Sequence, residues 1–130
     1  QKVVWKRVGT ILRFAFGDKK LAVLDSTCFA AGNYAKYLTG ILNSNMGKYM
    51  LQESPTTGTG DLLISVQAIE PLKIPIPNMT TKKLIEDKVD KILQYNTDCD
   101  IDINPDIYSM YALSNEEITF IETFLTAPTK

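Results

Sequence analysis

Two prolines at alternate positions, in Leu72-Lys73-Ile74-Pro75-Ile76-Pro77, constrain this chain more than any other feature. Each removes a backbone donor and fixes φ, so the segment must run extended and can only border a sheet or lead out of one. Ile74 and Ile76 alternate with the prolines, which predicts that the two isoleucines share a buried side. Ahead of this segment the sequence reads as short strands, one helix and a Gly/Thr loop. Behind it every signal is helical. Charge divides at nearly the same place: residues 1–83 hold 11 Lys/Arg against 5 Asp/Glu, a balance of +6, and residues 84–130 hold 3 against 10, a balance of −7. The total of −1 therefore conceals a basic body and an acidic tail.

These patterns predict an α+β fold, with a small, mostly antiparallel sheet body, one packed helix and a C-terminal group of about three helices. The organisation expected is a body over residues 1–77 and a helical part over residues 78–130, forming one compact unit. With 130 residues and 45% hydrophobic content, a real core is affordable for such a domain. No run of eighteen apolar residues and no charged-then-apolar leader occurs, so a cytoplasmic protein is expected. The chain opens at Gln1 inside an apolar pattern, as a piece of a longer polypeptide would. It contains no histidine. Ser/His/Asp and Cys/His nucleophile systems, a His-based metal centre and a His general base are thereby excluded from this chain. Cys28 and Cys99 stand 71 positions apart without a CxxC pattern and read as small apolar groups.

In order, Lys2-Val3-Val4-Trp5-Lys6-Arg7-Val8 reads as a strand, Ile11 to Phe16 as a second and Leu21 to Phe29 as a third, joined by turns into a meander. Asn33 is a candidate cap for a helix to about Leu51, whose apolar positions Tyr34, Tyr37, Leu38, Ile41, Leu42 and Met46 follow three-four spacing. Asn43-Ser44-Asn45 interrupts that helix, either as a solvated stripe or because these side chains press on a neighbouring backbone or a phosphate. A turn-rich loop covers residues 53–61, and residues 61–68 contain a strand that turns helical near Val66. Thr80 or Thr81 caps a helix to about Asn96 with a stripe of Leu84, Ile85, Lys88, Val89, Ile92 and Leu93, on the order of 24 Å long. After an acidic connector, Asn104-Pro105 reads as a cap with proline at the first helical position. Ser114 and Glu117 form a capping box, and Leu113 and Ile118 a hydrophobic staple, ahead of a last helix that buries Ile118, Ile121 and Leu125.

No motif assembles an active site. Gly58-Thr59-Gly60 lacks the Gly-Lys-Ser/Thr of a phosphate loop. The Asp98, Asp100, Asp102 series starts like an EF-hand, but Ile103 stands at its sixth position and Ser109 at its twelfth, so the sharp turn and the bidentate ligand are missing. Glu86-Asp87-Lys88 has a nuclease-like spacing on the wet side of a periodic helix. Asn104-Pro105-Asp106-Ile107 lacks the aromatic residue that would stack on a flipped base. What remains is the basic body. Lys2, Lys6, Arg7, Arg13, Lys19, Lys20, Lys36, Lys48 and Lys73 could neutralise phosphates, with Thr56, Thr57 and Thr59 in the loop. Gln52, Gln67 and Asn45 could address adenine edges.

The order of features resembles a known family, the TaqI-like C-terminal specificity, or target-recognition, domain of single-chain type IIG restriction-modification enzymes, related to the recognition half-domains of type I specificity subunits. Lys2-Val3-Val4-Trp5-Lys6-Arg7 is similar to the family's opening strand and residues 21–29 to its third. Tyr37-Leu38-Thr39-Gly40-Ile41-Leu42-Asn43-Ser44 resembles its YLLGILNS helix. Ile69-Glu70-Pro71-Leu72-Lys73-Ile74-Pro75-Ile76-Pro77 resembles its LPIP exit, and residues 107–118 its closing VYELYGLTEEEI. The resemblance implies a non-catalytic domain that reads double-stranded DNA for an adenine-N6 methyltransferase, and for a nuclease, elsewhere in the polypeptide or complex. It implies S-adenosylmethionine and magnesium for those other domains only, and no cofactor or metal here. On this reading the DNA-facing residues are Lys2, Lys6, Arg7, Arg13, Lys19, Lys20, Lys48, Thr56, Thr57, Thr59 and Gln67, and the helices beyond residue 81 pack on the rest of the enzyme. The competing reading is a protein-interaction module that docks through Leu84, Val89 and Ile92 without binding nucleic acid.

Overall fold

The computed structural model describes residues 1–9, 13–17, 27–54, 62–95 and 102–126. Three strands, β1 (Lys2–Lys6), β3 (Phe14–Gly17) and β4 (Thr27–Ala31), form a sheet in the order β3-β1-β4, and β2 (Val8–Gly9) pairs separately with β5 (Leu62–Leu63). All of these pairings are antiparallel. The first strand is thus central, and the expected meander, which would have put it at an edge, is not formed. β1 is the strand best able to be flanked on both sides: Val3 and Trp5 are buried together on one face, and both neighbours contribute apolar residues opposite them. The Trp5 indole N–H donates to the Ile64 carbonyl at 2.7 Å, and the Ile64 N–H donates to the Arg7 carbonyl at 2.6 Å. These two bonds bring the β5 segment to the end of the sheet.

The long helix expected over residues 33–51 is two helices, α1 (Ala35–Asn43) and α2 (Asn45–Met50), followed by a 3-10 turn, Leu51–Glu53. Ser44 makes the break. Its backbone is extended and its hydroxyl accepts from the Gly47 N–H at 3.2 Å, which caps α2. Asn33 does not cap α1; Tyr34 holds that position without a side-chain bond. Tyr34 also leaves the expected apolar face and is 51% exposed. The rest of α1 is buried on two sides. Leu42 joins Val3, Trp5, Phe14, Leu51 and Ile64 beneath the sheet, whereas Tyr37 and Ile41 join Ile85, Val89, Ile103 and Ile107 on the other side. Each fully buried aliphatic chain contributes about 1.5–3 kcal/mol, so α1 ties two cores together. Gly40 permits the second contact: a Cβ there would come within 3.0 Å of both Ile85 and Val89 side chains.

A short helix α3 (Val66–Ile69) leads into the proline segment, which is extended but pairs with no strand among the described residues. Ile74 is half-buried, but Ile76 is 89% exposed, contrary to the shared buried side expected of the pair. Pro75 and Pro77, together with both isoleucines, line a groove against Tyr34, Tyr37 and Leu38. Helix α4 (Met79–Tyr95) starts earlier than expected, because Asn78 and neither threonine caps it: the Thr81 N–H donates to Asn78 Oδ1 at 2.8 Å. Of its apolar stripe, Ile85 and Val89 are buried and Leu84, Ile92 and Leu93 are exposed.

Helix α5 (Asn104–Met110) begins with Asn104 inside the helix, so Asn104 is not its cap. Its side chain is used elsewhere, accepting from the Asn45 N–H at 2.8 Å and tying α5 to α2. Helix α6 (Asn115–Thr126) carries the expected capping box: Glu117 N–H donates to Ser114 Oγ at 3.2 Å and Ser114 N–H to Glu117 Oε1 at 3.0 Å. The Ser114 backbone N–H, with the Ser114 hydroxyl second, holds the Glu117 carboxyl below its usual pKa. No described helix is long and apolar enough to cross a membrane.

Candidate nucleic-acid interface

Strand alternation sorts the basic body. Val3 and Trp5 face the core, so Lys2, Val4 and Lys6 face the other way. Across the ladders Lys2 stands opposite Gly17 and Ala31, Val4 opposite Ala15 and Phe29, and Lys6 opposite Thr27. The outer face is therefore lined with small side chains from which Lys2, Lys6 and Phe29 project. Phe29 is 48% exposed, and the Lys2 ammonium sits 5.2 Å from its ring centroid. Lys2 and Lys6 are separated by roughly 13 Å along the strand, at about 3.3 Å per residue. Strands β1, β3 and β4 contain no acidic residue.

Further cations collect at the Lys6 end. Arg7 follows directly, and Arg13 immediately precedes β3, whose Phe14 faces Trp5. Lys6, Arg7 and Arg13 are all exposed. Gln67, exposed on α3, lies three residues beyond Ile64, the residue bonded to the Arg7 carbonyl. Of the sequence-predicted set, Lys2, Lys6, Arg7, Arg13 and Gln67 thus belong to the sheet and the segment paired with it. Lys48 does not. It lies on α2, whose main neighbours are α1, α5 and α6. Lys19, Lys20, Thr56, Thr57 and Thr59 lie outside the described residues.

Three cations of the helical side are matched with carboxylates. Lys36 pairs with Asp90 at 2.9 Å and stacks over Phe16, Lys82 pairs with Glu86 at 2.7 Å, and Lys88 pairs with Asp106. Lys36 accordingly drops out of the phosphate-contacting set that charge alone implied. α1 and its partner α4 carry these charges on the side of the sheet opposite the Lys2–Lys6 face.

Sequence reasoning missed Phe29. Residues 21–29 read as a third strand with no face assigned to Phe29, and the register, which pairs Phe29 with outward-facing Val4, turns its ring to solvent. Thr27, Phe29 and Ala31 alternating with Cys28 and Ala30 was the available signal. Among the described residues no group of three or more His, Cys, Asp or Glu comes together. No protein-family model, curated protein or solved structure matches the chain.

Proposed function

We propose that this chain is a DNA target-recognition domain, non-catalytic itself, that serves the methyltransferase and nuclease domains of a cytoplasmic restriction-modification enzyme. The observation that carries the reading is the outer sheet face. Lys2 and Lys6 flank exposed Phe29, Arg7 and Arg13 extend one end, and no carboxylate stands on the three strands. Such a face suits a polyanion: each cation that neutralises a phosphate releases a counterion, and side chains projecting between small neighbours can reach into a groove. Helix α4 fits the same reading, because it packs on α1, the helix beneath the sheet, and its carboxylates stand away from the face offered to phosphates.

The test is a salt titration of binding to duplex DNA by the full chain. Binding that weakens steeply with salt, and a slope that falls by about one for Lys6→Ala or Arg13→Ala, is expected. Lys48→Ala should leave the slope unchanged. If removing Lys2, Lys6, Arg7 and Arg13 together leaves affinity and slope unaltered, the reading fails. The competing interaction-module reading retains exposed Leu84 and Ile92, but Val89, which it needs accessible, is only 5% exposed.

A further inference from the structure

Helix α6 carries Glu116, Phe120 and Phe124 at four-residue spacing, which puts all three on one stripe. The two phenylalanines are 59% and 45% exposed, an unusual state for large apolar side chains four residues apart. Their rings stack on each other with centroids 6.4 Å apart. Tyr49 of α2 meets both edge-on, at 6.2 Å from Phe120 and 5.4 Å from Phe124. Beside this trio runs a groove of about 360 Å³ with apolar walls from Met46, Tyr49, Leu113 and Phe120, and with Glu116 and Glu117 at its rim. No lysine or arginine lines it.

The combination is chemically selective. Aromatic faces carry negative charge and attract cations that lie over them. Two carboxylates at the rim add a full negative field and repel phosphate. Glu117 already accepts from the Ser114 N–H, but an uncharged apolar occupant would bury the Glu116 carboxylate without a partner, which is costly. An apolar stem ending in a cation satisfies the walls and the rim together, and a planar guanidinium can stack on a ring while also pairing with a carboxylate.

We propose that the α2–α6 groove is a docking site for an arginine side chain on a basic segment of a partner protein. The stem lies against Met46 and Leu113, and the guanidinium stacks on Phe120 and Tyr49 and pairs with Glu116. This site is independent of the outer sheet face, on other elements and of opposite charge.

The experiment titrates the isotope-labelled full chain with N-acetyl-arginine amide, its neutral isostere N-acetyl-citrulline amide and N-acetyl-norleucine amide. The arginine probe should shift the resonances of Tyr49, Phe120 and Phe124 saturably, and the other two should bind at least about 5-fold more weakly. Glu116→Gln should weaken the arginine probe roughly 3- to 10-fold and leave the citrulline probe unchanged. Phe120→Leu, which keeps an apolar wall but removes the ring, should weaken it by a similar factor. Both positions are exposed, and unchanged thermal melting verifies that the variants fold. Equal binding of all three probes would make the groove merely apolar and overturn the proposal. So would an arginine titration without saturable shifts, or a Glu116→Gln chain that binds arginine as well as the parent.

Discussion

Asn43 bonds both polar groups of Phe14: its Oδ1 accepts from the Phe14 N–H at 2.9 Å, and its Nδ2 donates to the Phe14 carbonyl at 2.6 Å. This is the pair of bonds that a residue on an adjoining antiparallel strand would make. Among the described residues β3 pairs with β1 alone, so the side chain of a helix residue makes the bonds that a strand on its other side would make. It thereby shields an edge that would otherwise be open to pairing with another chain. A third bond, from Nδ2 to the Thr39 carbonyl at 3.0 Å, fixes the amide's orientation.

Asn43→Ala removes both edge bonds and leaves the Phe14 donor and acceptor without protein partners. A net bond is worth about 1 kcal/mol, so a loss of roughly 2–3 kcal/mol is expected, read from the urea midpoint at unchanged slope. Asn43→Asp keeps the acceptor but sets a carboxylate against the Phe14 carbonyl, and should be at least as destabilising. An alanine variant as stable as the parent would show that water replaces the clamp.

Two tyrosines hold the proline segment in place of a sheet. Tyr111 donates to the Lys73 carbonyl and Tyr37 to the Pro75 carbonyl, each at 2.7 Å. Carbonyls two residues apart on an extended chain point the same way, so one clamp serves both. Tyr111→Phe and Tyr37→Phe should each cost about 1 kcal/mol, with Tyr37 the more costly because it is the more buried residue. Stability that is unaffected in the double variant would show that the prolines alone keep the segment in position.

The same hydroxyls make alkaline stability a second readout. Burial pushes both Tyr37 and Tyr111 up to about 12, Tyr37 with added repulsion from Tyr111 and Tyr34. Their folded pKa values lie above the ordinary 10.0. The contribution is therefore complete below pH 10 and is lost as pH rises from about 10 to about 12. Chemical denaturation across that interval should show a decline that is shallower in the Tyr37→Phe/Tyr111→Phe chain. Parallel declines would mean that other groups account for it.

α5 ends on Ala112 at φ 53°, a left-handed conformation that glycine adopts with less strain. Leu113 N–H bonds the Tyr108 carbonyl and Ala112 N–H the Ser109 carbonyl, the pair of bonds of a Schellman turn. The Cβ is tolerated because both bonds hold the turn. Ala112→Gly should stabilise the chain by about 1 kcal/mol and raise its melting temperature by a few degrees. A lower melting temperature would mean that the entropy added to the unfolded chain outweighs the strain relieved.

What could be read from sequence was whatever neighbouring residues decide among themselves. The Ser114/Glu117 box formed as written because both partners lie within one turn. The helical character of residues 66–69 and the burial of Ile121 also follow from spacing over a few positions. Asn43-Ser44-Asn45 was legible only as an alternative. Its sequence allowed a solvated stripe or pressure on a neighbouring backbone, and the approach of β3 decided for the second. Three caps differ from expectation: Tyr34 stands in place of Asn33 without a side-chain bond, Asn78 takes the role from Thr80/Thr81, and the Asn104 side chain is drawn to a distant donor, the Asn45 N–H.

By itself, then, the sequence determined the elements and their kind: an α+β chain, a stiff extended connector at the prolines, and a basic first part followed by acidic helices. Those properties arise from backbone restriction, periodicity and charge count, which need no contact between distant residues. The tertiary structure alone decided that β1 is the middle strand, that Phe29 and Ile76 turn outward, and that Lys36 is spent on Asp90 while Lys6 and Arg13 stay exposed. Strand register and helix packing are choices among alternatives of nearly equal local energy, and they are settled only when the two cores on either side of α1 close together.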